Sequence, residues 1–134
     1  MQESDHLPKH FEAKIKEYYR KFDQREPLVA FEQDFHWGDL LISSPATNIS
    51  SKEQYADFYS EVIEAYIDSH HQVDNFIITH QSDDLVNAAC DVVFTAKQKP
   101  GLTPIEVTGR IQFSFRPMPE EGSWKISRYL IGVK

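Results

Sequence analysis

A chain of 134 residues with net charge −7, 40% hydrophobic and 26% charged, has the size and composition of one globular domain, 1–134, built around one core. Its Lys and Arg residues occur singly or in pairs on an acidic background, which excludes a nucleic-acid surface. The single cysteine, Cys90, excludes an internal disulfide framework. With no apolar run of signal-peptide or membrane-span length, a reducing, cytoplasmic location away from membranes is expected.

The first strong period is helical. Leu7, Phe11, Ile15, Tyr18 and Phe22 recur at spacings of three and four, with Lys and Glu between them. Pro8 suits a first turn, and Pro27 ends this helix or opens a short one over LVAF. DFHWGDLLI then predicts a strand. In SKEQYADFYSEVIEAYIDS, Ser51 and Gln54 form a capping box, and Tyr55, Phe58, Tyr59, Val62, Ile63, Tyr66 and Ile67 make one apolar stripe. From Gln72 the period becomes two. VDNFIITH, LVNAACDVVFTAKQ, IEVTGRIQFSF and SWKISRYLIGV predict four strands separated by SDD, KPGLTP and PMPEEG. Helix, strand, helix and a run of antiparallel strands give an α+β class, with helices on one face of the sheet.

Hairpin arithmetic assigns the faces. Pairing Phe94 with Gly109 sets Val92 opposite Ile111 and Cys90 opposite Phe113, so the apolar side chains share one face. Asp91 and Arg110 become diagonal neighbours on the other face. Setting Trp124 against Phe115 and Ile126 against Phe113 brings Arg128 opposite Ile111, on the helix-covered side. There a guanidinium requires a carboxylate or a polar cavity. A bulge or one-residue slip instead turns Arg128 outward and Tyr129 inward. Cys90 reads as a small buried hydrophobe.

Several segments in this order resemble the nuclear transport factor 2-like superfamily, which includes SnoaL-like polyketide cyclases, ketosteroid isomerases and scytalone dehydratase. They are EYYRKFDQRE, DFHWGDLL, the helix after ISSKEQ, HHQVDNFII and GSWKISRY, and the resemblance covers nearly the whole chain. It implies a cone-shaped, strongly bent mixed or antiparallel sheet wrapped around N-terminal helices, a pocket between them, and a homodimer formed through the sheet. The isomerases' tyrosine has matches in Tyr18 or Tyr19, and their base in Asp34 or Asp39. The strand position of their acid donor falls on Ile111, which cannot donate a hydrogen bond.

SHHQVDNFIITH holds three histidines. His70 and His71 point to opposite faces of an extended chain and His80 lies about 30 Å from His70, so no metal site forms within this segment. Acid–base work suits them better, because an imidazole titrates near neutrality and a neighbouring carboxylate tunes it. They also suit a plain role at a helix end. The enzyme hypothesis is a cofactor-free isomerase, lyase or cyclase acting on a small hydrophobic oxygenated molecule. It takes His36 or Asp34 as base and Tyr19 and Arg128 as oxyanion partners; Tyr18, Trp37, His70, His71, Phe94 and Phe113 line the pocket. The other hypothesis is a ligand-binding or dimerisation module of the same fold.

Overall fold

A computed structural model describes residues 2–45 and 47–133, with side chains over 9–45 and 47–132; the Leu7 and Pro8 side chains lie outside these. Helix α1 runs Gln2–Asp23, and Phe11, Ile15, Tyr18, Tyr19 and Phe22 are buried along its apolar face. Pro27 caps a short 3-10 turn over Leu28–Phe31. The predicted strand from Asp34 is interrupted. Phe35 makes one parallel bridge to Ile126, a 3-10 turn covers Trp37–Asp39, and only Leu41–Ser44 forms strand β1. A short strand β2, Thr47–Ile49, pairs back on it.

Helix α2, Lys52–Ala65, begins as its capping chemistry predicts. Ser51 Oγ accepts the Gln54 amide at 3.1 Å, and Gln54 Oε1 accepts the Ser50 amide at 2.7 Å. It ends earlier than its apolar stripe suggests, because Tyr66 and Ile67 pair with Gln98 and Lys97 as the start of β3, Tyr66–Gln81. Pairing to a long neighbouring strand outweighs helical propensity at the helix end. The remaining strands are β4, Val86–Gln98; β5, Thr103–Met118; and β6, Ser123–Val133.

One six-stranded mixed sheet results, in the order β2-β1-β6-β5-β4-β3, with β1 parallel to β6. The fold is the expected α+β cone. Phe94 pairs with Val107 rather than Gly109, and Cys90 with Ile111 rather than Phe113. This shift of two residues leaves every side chain on its expected face, since the side-chain period is also two. It sets Asp91 directly opposite Arg110, with Nη1–Oδ1 at 3.2 Å. Phe113, Phe115, Ile126 and Ile111 are buried under the helices, and Trp124 meets the Phe11 ring edge-on at 5.6 Å.

Two sets of bulges aim the strands. The first lies in β6 at Ser127, where pairing passes from Phe115–Ile126 to Ser114–Arg128. The extra residue reverses the parity beyond it, so Tyr129 is buried and Arg128 turns out. The second set bends β3, with register shifts after Ile67, Asp74 and Ile78; Asp68 and Asn75 adopt φ of 53° and 55°, a region those two residue types tolerate.

Two stability predictions follow from this packing. Phe113→Ala should cost about 3–5 kcal/mol in chemical denaturation, because it empties a fully enclosed ring site. Ser51→Ala should cost about 0.5–2 kcal/mol with an unchanged denaturant slope, because only one cap is lost.

Candidate functional site

Asp23 is the last residue of α1 and His71 lies in β3, and the chain brings them together side by side. Arg25, at φ 58° just past the helix, donates to the Tyr66 carbonyl at 2.8 Å and to Ser69 Oγ at 3.0 Å, which ties the start of β3 to the end of α1. Ser69 Oγ in turn donates to Asp23 Oδ1 at 3.1 Å. The bulge after Ile67 then sets the parity that sends His71 inward and leaves His70 on the exposed face.

Asp23 grips His71 twice. Oδ2 accepts the His71 backbone N–H at 2.8 Å, and Oδ1 lies 2.8 Å from Nδ1. Both side chains are only 12% exposed. A carboxylate can only accept, so Nδ1 carries the hydrogen, and in the neutral imidazole the lone pair is on Nε2. No protein group among the described residues bonds Nε2. The ring is stacked on Tyr19 at 4.3 Å and 11°, with Phe94 tilted against it by 42° at 4.7 Å.

His71 opens onto a cavity of two adjoining lobes, about 160 and 130 Å³, that share Tyr19, His71, Phe94, Tyr129 and Ile131 as walls. Tyr18 lines the first lobe and Gly109 the second. The Tyr19 and Tyr129 hydroxyls meet at 2.6 Å. Burial, reinforced at Tyr19 by its neighbour, pushes both phenols well above the ordinary tyrosine range, so both are protonated at neutral pH. Two phenols joined by one hydrogen bond retain one O–H for a guest. Tyr18 and Tyr55 form a second pair at 2.8 Å, one layer deeper in the core.

The other sequence candidates stand elsewhere. Asp34 Oδ2 is bound at 2.6 Å by Lys21 Nζ on the opposite flank of α1, outside the cone. His36 donates its backbone N–H to Ile126 O and lines neither lobe; its buried Nδ1 has no partner among the described residues. Trp37 packs on Tyr55 and hydrogen-bonds the Glu32 carbonyl at 2.9 Å, walling a separate groove beside α2. Arg128 donates to the Asp39 and Ser127 carbonyls and lies 3.6 Å from Asp39 Oδ1, on the outer side of β6. The Ser127 bulge is the physical reason. His70 faces an outer cleft with Lys16 and Arg20. Phe113 packs on Tyr129 at 4.8 Å, the rings tilted by 33°, and supports the cavity wall from behind. Among the described residues no three His, Cys, Asp or Glu side chains group at metal-ligand geometry.

Asp23 is the residue that strand and histidine patterns pass over. A helical signal for it exists in the sequence: Asp23 is four residues after Tyr19 and shares its flank of the α1 stripe. What no local pattern contains is the contact with His71, 48 positions later.

No protein-family model and no curated protein sequence matches the chain. Solved structures do. A nuclear transport factor 2-like superfamily protein from Salmonella enterica serovar Typhimurium LT2 is 19% identical, with a TM-score of 0.86 over 97% of this chain and 92% of its own. A protein described as a candidate scytalone dehydratase from Novosphingobium aromaticivorans is 15% identical, with a TM-score of 0.86 over 100% of this chain and 89% of its own. Hexachlorocyclohexane dehydrochlorinase LinA-type3 from Novosphingobium barchaimii LL02 is 18% identical, with a TM-score of 0.81 over 98% and 90% of the two chains. At these identities the match defines architecture alone: this chain has the fold of the nuclear transport factor 2-like superfamily.

Proposed function

We propose that the protein is a cofactor-independent lyase or isomerase that removes a proton from carbon in a small, largely apolar molecule, with His71 as the base. The observation that carries this reading is a histidine held by a buried carboxylate at Nδ1 that also lines a cavity walled mainly by rings and aliphatic groups. Nε2 takes the proton, and Asp23 stabilises the imidazolium that forms. The electrons left on carbon move into a double bond. In a carbonyl compound the resulting negative oxygen is met by the free O–H of the Tyr19–Tyr129 pair. An isomerase returns the proton to another carbon; a lyase passes it to a departing hydroxide, which leaves as water, or, where a halide leaves as the anion, gives it up to solvent.

Two features support this chemistry over a purely structural pairing. The Tyr19 ring stacked on His71 and the Arg25–Ser69–Asp23 chain behind it fix the base before any guest arrives. Tyr19 and Tyr129 line the same lobes as His71, and both phenols are protonated. Lobes of about 160 and 130 Å³ suit a guest smaller than the drug-sized ligands that fill pockets of about 300 Å³ and above. Two of the similar structures bear the names dehydrochlorinase and dehydratase, which denote loss of HCl and of water; these favour the lyase form.

The test is a survey of small cyclic ketones, β-hydroxy ketones and halogenated alicycles for elimination or for hydrogen–deuterium exchange at carbon, followed by NMR. His71→Gln should lower the rate about 10²–10⁴-fold while the melting profile is preserved. Turnover that survives this change would remove the imidazole from the chemistry, and saturable binding with no turnover of any survey compound would favour a ligand-binding module. Removing both hydroxyls, in Tyr19→Phe/Tyr129→Phe, should lower kcat by about 10²-fold on a carbonyl substrate and have little effect on a halogenated one, because only the former develops an oxyanion.

A further inference from the structure

On the flank of α1 opposite Asp23, His10, Lys14, Glu17 and Lys21 recur at spacings of four, three and four, and so share one face. That face walls a cleft of about 670 Å³ whose other side is Gln33, Asp34, Ser123 and Lys125. Two ammoniums in it are already tied down. Lys21, 9% exposed, donates to the Ala30 carbonyl at 2.7 Å and to Asp34 at 2.6 Å. Lys125, 6% exposed, donates to the Gln33 carbonyl at 2.7 Å and to Glu121 at 2.9 Å. Each ammonium has three donors, so each retains one.

Lys14 has no ion pair or hydrogen bond among the described residues, although it is half-buried in this cleft. Burial lowers its pKa; Asp34 opposes that, and the Lys125 and Lys21 ammoniums add to it. The Ser123 hydroxyl, on the wall of the same cleft, is buried without a partner among the described residues. An orphaned hydroxyl and an unpartnered ammonium that line one cleft require an explanation, since buried polar groups are as a rule satisfied. At the rim Arg20 is held by Glu17 and Glu26. The four cations that line the cleft, Lys14, Arg20, Lys21 and Lys125, are matched in number by Glu17, Glu26, Asp34 and Glu121, but among the described residues Lys14 is the one of the four with no partner of its own.

We propose that this cleft is a second binding site, for a small molecule bearing a carboxylate, which the Lys14 ammonium and the Ser123 hydroxyl receive together. The spare N–H groups of Lys21 and Lys125 are the further donors. A monoanion pairs with the one unpartnered ammonium, whereas a dianion sets its second charge against Asp34. The site is separate from the His71 cavity and stands whether or not that cavity is catalytic.

Titration of the full chain with sodium acetate at low ionic strength, followed by amide chemical shifts around Lys14 and Ser123, tests it against sodium chloride at matched ionic strength. Saturable acetate shifts that chloride does not reproduce are expected. Affinity should fall at least tenfold in Lys14→Gln, recover in Lys14→Arg, and fall severalfold in Ser123→Ala, which also decides the matter should Lys14→Gln fail to fold. The proposal is overturned by shifts that chloride reproduces, by unchanged affinity in Lys14→Gln or Ser123→Ala, or by inorganic phosphate saturating the site where acetate does not.

Discussion

The grip of Asp23 on His71 joins the end of α1 to the edge strand of the sheet, and the rest of the site depends on it. One carboxylate accepts a backbone amide, an imidazole N–H and a serine hydroxyl, so it fixes at once the path of β3, the orientation of the ring and the tautomer. A buried carboxylate with three donors is an interaction that loses heavily when any partner leaves. The geometry is therefore held by the fold and does not wait for a ligand.

Around that pair the cavity is built almost without charge. Its polar equipment is one imidazole and phenols whose hydrogens burial keeps in place, and its walls are Phe94, Phe22, Val62, Ile131 and similar groups. In such surroundings each hydrogen bond is electrostatically stronger than it is in water, and a guest that offers nothing to the phenol or the imidazole gains only apolar burial. The bulge at Ser127 is what makes this possible: it exchanges a guanidinium for a phenol at the cavity wall, and Arg128 is used instead to hold the Asp39 turn on the outside.

The charges that the cavity excludes are gathered on the other flank of α1. One helix thus presents an apolar stripe to the core, an acidic residue to the histidine and a lysine face to the outer cleft. Lys21 and Lys125 there pin the 30–34 segment between helix and sheet through its carbonyls, which is why Asp34 belongs to that scaffold and not to the cone.

Much of this architecture was legible in the residues. The period of α1, the Ser51 cap, the change to a period of two, and the shared face of Cys90, Val92, Ile111 and Phe113 are all local or parity-based. Parity survives a two-residue error in register, so the faces were right where the pairings were not. Three things were not legible. The end of α2 was decided by pairing of Tyr66 and Ile67 with β4. The side taken by Arg128 was decided by one extra residue in β6. The partner of His71 was decided by a contact 48 positions away. By itself the sequence determined which side chains turn toward the helices, since alternation along a strand is a property of the backbone. The tertiary structure alone decided which of them meet, because bulges and long-range contacts have no period to read.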